Sequence, residues 1–390
     1  MRAVSVPAFA AQFIAGGGRD IDTGRLSLDT TPGEHVQLTD DNGDELGLAI
    51  ADTDNARLRV FATPADGFSK VDAALIGWRV ERALALRKQL DLPGPIGGDH
   101  AYRLVHGAGD GLPGFACDVL GRVAVIWAYS EALRTLGMKL AESIVGFARL
   151  DGAVVKLRTK GGESNVAQST TGTVPETLVA TEHGVPFEIH PLGGLNTGLF
   201  TDMREQRRGL ARFVRDKRVL NLFSYTGALS VASARAGAAT VTSVDTSSGV
   251  QSWAAGNFAR SGFAAEARWK FETGDASRFL DRAARDKERY DVILVDPPSS
   301  SSAAGVSWAL GRDYPDLIAK CAAVIPPDGL LWLAANTHEL GSLAKLAHKG
   351  LRAANRTGVI LEQGGLPPEY PTLVAQPADR YLQICLVRVI

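Results

Sequence analysis

The residues of this chain best suited to chemistry are acids that close apolar runs. Asp245 ends the run Thr240–Val244, and Asp296 ends Tyr290–Val295 and is followed by Pro297 and Pro298. In nucleotide-binding folds ligands lie outside the carboxyl ends of the strands, where such an acid accepts hydrogen bonds from a ribose diol. Proline cannot continue a central ladder and restricts the residue before it, so Asp296 is expected in a stiff turn beside that crevice. Alone, Asp-Pro-Pro also fits an ordinary strand-ending turn; its place after a nucleotide-type unit favours function. The turn Ser224–Gly227 ahead of Asp245 carries one glycine, Gly227, where a dinucleotide fingerprint has three. Glycines let backbone approach a pyrophosphate closely. Their scarcity disfavours a dehydrogenase and predicts a nucleoside ligand without phosphates, of which S-adenosylmethionine is an example.

A further block, Asn196–Arg207, gathers Asp202, Arg204 and Arg207 on a short loop. Methionine carries a free carboxylate and ammonium, and such a cluster can pair with both. A surface helix start with ordinary charge pairing would read similarly.

The elements that must position these groups follow from periodicity. Val219–Phe223 and Thr240–Val244 read as strands around a small-residue helix. From Gly209 onward strands alternate with helices, which predicts a parallel sheet covered on both faces. The tail breaks that rhythm: Thr357–Gln363, Pro367–Pro371 and Tyr381–Val389 predict a closing antiparallel pair. Upstream, Arg25–Ala62 reads as short strands with a hairpin at Asp41-Asn42-Gly43, a small β-barrel module of a size that rarely stands alone. Lys70–Leu90 has helical spacing, with Arg79, Arg82, Arg87 and Lys88 expected on a solvated face. After a break at Pro93–Gly98 come strands at Ala101–Val105, Gly114–Val119 and Val123–Ala128. A helix at Ser130–Ala148 and strands at Ala153–Leu157 and Val185–His190 complete an α+β pattern.

Composition sets bounds. The 390 residues leave room for two or three domains, and 45% hydrophobic with 22% charged residues is ordinary for a globular chain. Forty-two basic and 43 acidic residues give a net charge of -1, no global sign of a polyanion partner, although a local basic patch can hide in a neutral total. Three cysteines, Cys117, Cys321 and Cys385, make an odd set without metal spacing. The N-terminal apolar run is short and broken by Pro7 and Gln12, and no stretch is long enough to span a membrane. A reducing cytoplasm is the expected compartment.

The order of blocks carries a resemblance. AYRLVHGAGDGLPGFACDVLG (Ala101–Gly121), GLNTGLFTDMREQRRGL (Gly194–Leu210), the block around NLFSYTG, GDASRFL (Gly274–Leu280), YDVILVDPP and DRYLQICLVRV (Asp379–Val389) resemble the bacterial large-subunit ribosomal RNA methyltransferases, which include cytosine-C5 and guanine-N7 enzymes. The resemblance implies an α/β chain: a PUA-like β-barrel over 1–72, a central α+β domain over 73–192 and a Rossmann-like class I methyltransferase domain over 193–390. It implies S-adenosylmethionine as cofactor, no metal, ribosomal RNA as partner and a homodimer as a candidate assembly. Carried over by position, Asn221, Phe223, Ser224, Tyr225 and Gly227 contact the cofactor, and Asp245 holds the ribose. Asp275, expected to end the next strand, lies near the adenine amino group; Thr197, Phe200, Asp202, Arg204 and Arg207 cover the methionine end.

Two departures sharpen the expectation. AQFIAGGGRDIDTGRL lacks the family's aromatic His-Pro-Trp-type segment, leaving Phe13 and Arg19 as its stacking or phosphate groups. Cytosine C5 is a poor nucleophile and needs prior addition of a cysteine thiolate; in the C5 relatives that cysteine follows the strand after Asp-Pro-Pro. Here the stretch is GLLWLAANTHEL (Gly329–Leu340), with Asn336-Thr337 and no cysteine. Cys321 sits at helical core spacing and Cys117 and Cys385 within apolar strands, so all three are expected to be core. A nitrogen acceptor needs only its lone pair aimed in line at the methyl group. The expected catalytic set is Asp296 accepting a hydrogen bond from the base, Pro297 stiffening its turn, and Asn336 reading an edge, an Asn-rich segment shared with the guanine-N7 relatives. Ser299–Ser302 follows where an aromatic platform would serve a flipped base; Trp308, Tyr314 and Trp332 are candidates, Trp332 being expected in the core. His338 reads as a solvated loop residue. Direct methylation of a base, with guanine favoured, leads. The alternatives are the same fold redirected to a small molecule or protein, and a non-catalytic S-adenosylmethionine- or RNA-binding protein.

Overall fold

The computed structural model describes every residue except 25, 27–28, 94–99, 160–167, 264–265, 304–305 and 339, with backbone alone at 168, 300–303 and 306–307. The expected break at Pro93–Gly98 thus lies, from 94 onward, outside the described residues. The chain divides into two compact units, one of Met1–Gly184, Ile189–Thr197 and Pro368–Asp379, the other of Val185–Glu188, Gly198–Pro367 and Arg380–Ile390.

The first unit opens with β1 (Arg2–Ser5), α1 (Ala8–Ala15), β2 (Asp20–Asp22), β3 (His35–Thr39), β4 (Glu45–Asp52) and β5 (Arg57–Ala62), a five-stranded sheet in the order β1-β3-β4-β5-β2. A closed barrel would join β1 to β2, a pairing absent from the described ladders. The expected hairpin is present: the Asp40 carboxylate accepts the N–H groups of Asn42 and Asp44, and Gly43 takes the left-handed conformation the turn requires. Next come α2 (Ala73–Gln89), β6 (Ala101–His106), β7 (Phe115–Leu120), β8 (Val123–Ala128), α3 (Arg134–Ala148), β9 (Gly152–Leu157) and β10 (Gln168–Gly172). These strands form a second sheet in the order β10-β9-β8-β7-β6. α2 and α3 share one core with it, built on Leu75, Val80, Leu104, Phe115, Ile126 and Leu140.

One expectation about α2 is overturned. Arg82 and Lys88 are exposed, but Arg79 and Arg87 are buried. Arg87 forms a fork with Asp110 and also donates to the carbonyls of Arg103 and Glu369; Arg79 donates to Asp66 and to the carbonyl of Phe61. A guanidinium survives burial only with partners on its donors, and these partners are remote in sequence.

The chain passes between units in the hairpin β11 (Leu178–Glu182) and β12 (Val185–Ile189). The second unit continues with α4 (Arg204–Gly209), β13 (Arg218–Leu222), α5 (Ala228–Arg235), β14 (Thr240–Asp245), α6 (Ser248–Arg260), β15 (Trp269–Thr273), α7 (Ala276–Arg285) and β16 (Val292–Val295). After β16 come a hairpin of β17 (Ser300–Ala303) and β18 (Val306–Ala309), then α8 (Leu310–Val324), β19 (Leu330–Asn336), α9 (Leu343–Ala353), β20 (Gly358–Gly364) and β21 (Leu382–Val389). The seven-stranded sheet runs β15-β14-β13-β16-β19-β21-β20. Strands β15, β14, β13, β16 and β19 are mutually parallel, and β21 is antiparallel to both β19 and β20, the closing pair expected of the tail. β16 is Val-Ile-Leu-Val and wholly buried, as a parallel strand covered on both faces must be. The chain runs outward from β13 to β15 and returns beside β13 as β16, so strand order reverses between β13 and β16. Their carboxyl ends define the ligand crevice of such a sheet.

Candidate functional site

The turn after β13 is built from strained backbone. Phe223 and Tyr225 have φ of 57° and 47°, and Gly227 has 78°. Left-handed aromatic residues cost on the order of 1 kcal/mol each and persist only where surroundings hold them. Here the Ser224 N–H donates to the Val244 carbonyl at 3.0 Å, the Tyr225 N–H to Asp245 Oδ2 at 3.0 Å, and Gln251 Nε2 to Ser224 Oγ at 2.9 Å. Gly227 begins α5, and a Cβ there would meet Ala254 Cβ at 2.9 Å. Its lack of a side chain lets α5 approach α6. Asn221 lies below the turn, buried, with Nδ2 donating to Ser230 Oγ at 2.8 Å.

Asp245 is partly exposed, and its other oxygen accepts the Ser247 N–H at 3.1 Å. Asp275 departs from expectation. β15 stops at Thr273, and Asp275 caps α7 by accepting the Arg278 N–H at 2.9 Å. It stands at the start of the helix, not the end of the strand.

The block after Gly198 brings several expected groups together. Phe200, 42% exposed, stacks on Tyr225 with centroids 5.1 Å apart. Arg207 donates to the Phe200 carbonyl at 2.6 Å, and Arg204 pairs with Glu205 at 2.7 Å. Asp202 is buried and accepts the Tyr381 hydroxyl at 3.1 Å. Gly198 itself has φ of 114°, and a Cβ there would strike the Trp253 ring at 2.4 Å. Thr197 is grouped elsewhere: it is buried in the first unit, its carbonyl accepting the His190 N–H at 2.8 Å. The loop before it is pinned there by Lys156, whose ammonium donates to the carbonyls of Gly193 and Gly194 at 2.6 Å each.

Beyond Val295, prolines 297 and 298 offer no N–H to β19. Hydroxyls do the tying instead: Tyr314 bridges the carbonyls of Val295 and Ala334, each at 2.9 Å, and Ser299 Oγ donates to the Asn336 carbonyl. Tyr314 is fully buried, which removes it as a stacking platform, and Trp332 is in the core as expected. Asn336 is exposed where β19 ends, and His338 is exposed beside Tyr381, ring centroids 5.6 Å apart. Burial pushes the Asp296 acid up to about 7, the neighbouring Asp202 charge adds to the rise, and Arg207 opposes it.

A family model for S-adenosylmethionine-dependent methyltransferases matches residues 128–385. The chain belongs to that family. Among relatives of this methyltransferase, ribosomal RNA large subunit methyltransferase I of Cronobacter sakazakii is 28% identical over 367 residues, 92% of this chain and 91% of the relative. The protein of the same name from Alteromonas mediterranea is 27% identical over 361 residues, 90% and 89% of the two chains. Among solved structures, SMU.776 complexed with SAH superposes over the whole of both chains with a TM-score of 0.89 at 23% identity. The SAM-dependent methyltransferase from Agrobacterium tumefaciens gives 0.56 at 23% identity over 75% of this chain and 90% of its own. Both establish a Rossmann-like methyltransferase fold.

S-adenosylmethionine is accordingly the cofactor, and the crevice of this methyltransferase fits it. Burial and then the Asp202 charge hold the Asp296 acid up while Arg207 lowers it, and a bound sulfonium would favour its ionised form. Several supporting residues escape sequence reasoning: Gln251, Asn257 and the Ser230–Ser243 hydroxyl pair at 2.7 Å. Single polar residues on helix faces leave no periodic trace. Only the acidic strand ends and the DRYLQ block point there.

Proposed function

We propose that this methyltransferase methylates a base of large-subunit ribosomal RNA by direct transfer, at a guanine nitrogen in preference to cytosine C5, in the cytoplasm. The carrying observation is the absence of a usable thiolate: Cys117, Cys321 and Cys385 are all buried, and burial raises each thiol's pKa. The strand and loop after the Asp-Pro-Pro turn carry Asn336-Thr337 and no cysteine. The names of the relatives support ribosomal RNA as the acceptor.

In this reading Asp245 accepts the ribose hydroxyls, and Asp275 reads the adenine amino group with the carboxylate that also caps α7. Phe223, Ser224, Tyr225 and Gly227 shape the adenosine wall, with Asn221 supporting it. Asp202, Arg204 and Arg207 take the methionine carboxylate and ammonium, with Phe200 covering them. The cofactor supplies an electrophilic methyl group on a sulfonium. Asp296 accepts a hydrogen bond from the base and, with an acidity near neutral, can take a proton from an amino or ring N–H as the methyl arrives. Pro297 keeps that carboxylate still, and the Asn336 amide reads the base edge. Alignment of acceptor and methyl group then supplies the acceleration.

Mass mapping of ribosomal nucleosides from cells with and without the gene tests this. One methylated guanine should be lost. Full retention of every ribosomal modification would move the acceptor to a small molecule or protein. Cys321→Ser should keep turnover, and a folded but dead variant would restore the covalent route.

A further inference from the structure

A flipped base needs a flat surface, and the serines that follow Pro298 supply none. Of the three aromatic residues near this turn in sequence, Tyr314 is fully buried with its hydroxyl on two carbonyls, and Trp332 is 3% exposed inside β19. Trp308, at the end of β18, is half-buried. Its indole N–H donates to the Pro298 carbonyl at 2.8 Å, which fastens the ring to the Asp-Pro-Pro turn itself. The ring packs against Phe223 of the cofactor turn, centroids 6.0 Å apart, and against Tyr314 at 6.4 Å. It therefore stands at the switch point, between the turns after β13 and β16. Its one polar atom is satisfied, so its remaining surface is apolar π-face. Phe200 is more exposed but stacks on Tyr225, on the side of β14 and α6.

We infer that Trp308 is the platform on which the acceptor base stacks, holding the base plane beside Asp296 and Asn336. The inference rests on the reading of the acceptor as a nucleobase. It also supplies, from a hairpin, the aromatic surface that the serine run lacks. Stacking is tolerant of base identity, so Trp308 fixes position while the polar groups choose the base. A stacked ring keeps its in-plane lone pairs at a set height, which in-line transfer requires.

Two measurements on the full chain test this. In the first, protein saturated with S-adenosylhomocysteine is titrated with guanosine monophosphate, cytidine monophosphate and, as control, ribose 5-phosphate. Both nucleotides should quench indole emission, the sugar should not, and Trp308→Phe should lose that quench. In the second, large-subunit RNA from cells lacking the gene is methylated in vitro. Trp308→Leu should lower kcat/KM for RNA about ten- to hundredfold, the scale of one base–aromatic stack. Trp308→Phe should recover most of it, with S-adenosylmethionine affinity unchanged in both variants. Equal quenching in wild type and Trp308→Phe overturns the platform, as does a Trp308→Leu protein that methylates like wild type. Quenching by nucleotides without methylation of the RNA keeps the platform and removes ribosomal RNA as substrate. If Trp308→Leu melts at much lower temperature, the quench in Trp308→Phe decides.

Discussion

Asp296 couples acidity to the charge of what binds beside it. Burial and Asp202 raise its folded pKa to about 7, while an unfolded aspartate titrates near 3.9. The native state thus favours the protonated acid: its contribution to stability is full below about pH 4 and is lost as pH rises through 7. A cationic ligand prefers the ionised form, so the sign for binding is opposite. Calorimetry should show S-adenosylmethionine binding tightening about tenfold between pH 6 and 8, following the ionised fraction of a group with that pKa. Neutral-sulfur S-adenosylhomocysteine should gain less, and Asp296→Asn should flatten the difference. An equal gain for both ligands would remove Asp296 from the sulfonium. Asp245 makes a separate claim. Asp245→Ala should weaken S-adenosylmethionine and adenosine alike by about ten- to hundredfold, the scale of hydrogen bonds to a charged acceptor. Undiminished adenosine binding would place the ribose elsewhere.

At the scale of elements, the site depends on two joints. The first is the meeting of α5 and α6 at Gly227, where φ is 78° and an added Cβ would lie 2.9 Å from that of Ala254. Gly227→Ala combines left-handed strain with overpacking and should cost about 1–3 kcal/mol in denaturant melts. The second is Tyr314, whose hydroxyl joins β16 to β19 where proline ends the ladder. Tyr314→Phe leaves carbonyls without that donor and should cost about 1–3 kcal/mol, with turnover falling as the Asp296 turn loosens. The strands behind these joints are readable because β13, β14 and β16 are dense in β-branched and aliphatic residues, and because Asp245 and Asp296 end the last two. Tyr314 is not, since its role depends on carbonyls 19 and 20 residues away. Asp275 reads as a strand end because a cap and a strand terminus look alike when one residue, Gly274, separates them. Arg79 and Arg87 show the same limit: helical spacing gives the face, but whether an arginine face is wet depends on partners that the spacing does not contain.

For the molecule as a whole, the order of residues along the chain and their order in space differ. Arg87 ties α2 to Asp110 and to the carbonyl of Glu369, which belongs to the late segment Pro368–Asp379 grouped with the first unit. Arg87→Met should destabilise that unit by about 3–5 kcal/mol, because it strands a buried carboxylate. Adding Asp110→Leu should recover much of the loss, and a double variant as weak as the single would deny the pair its role. A similar displacement governs the last part of the sheet. Among the described residues β20 pairs only with β21, yet β21 is the later strand and lies between β20 and β19. During synthesis β20 is therefore made before the strand it pairs with. Val359, Ile360 and Leu361, nearly half exposed even in the finished fold, must wait through the stretch that leads to Leu382. An unpaired apolar edge of that kind is a template for another chain. Until β21 takes its place, that edge is open to another chain, and a chaperone covering it would have something to protect.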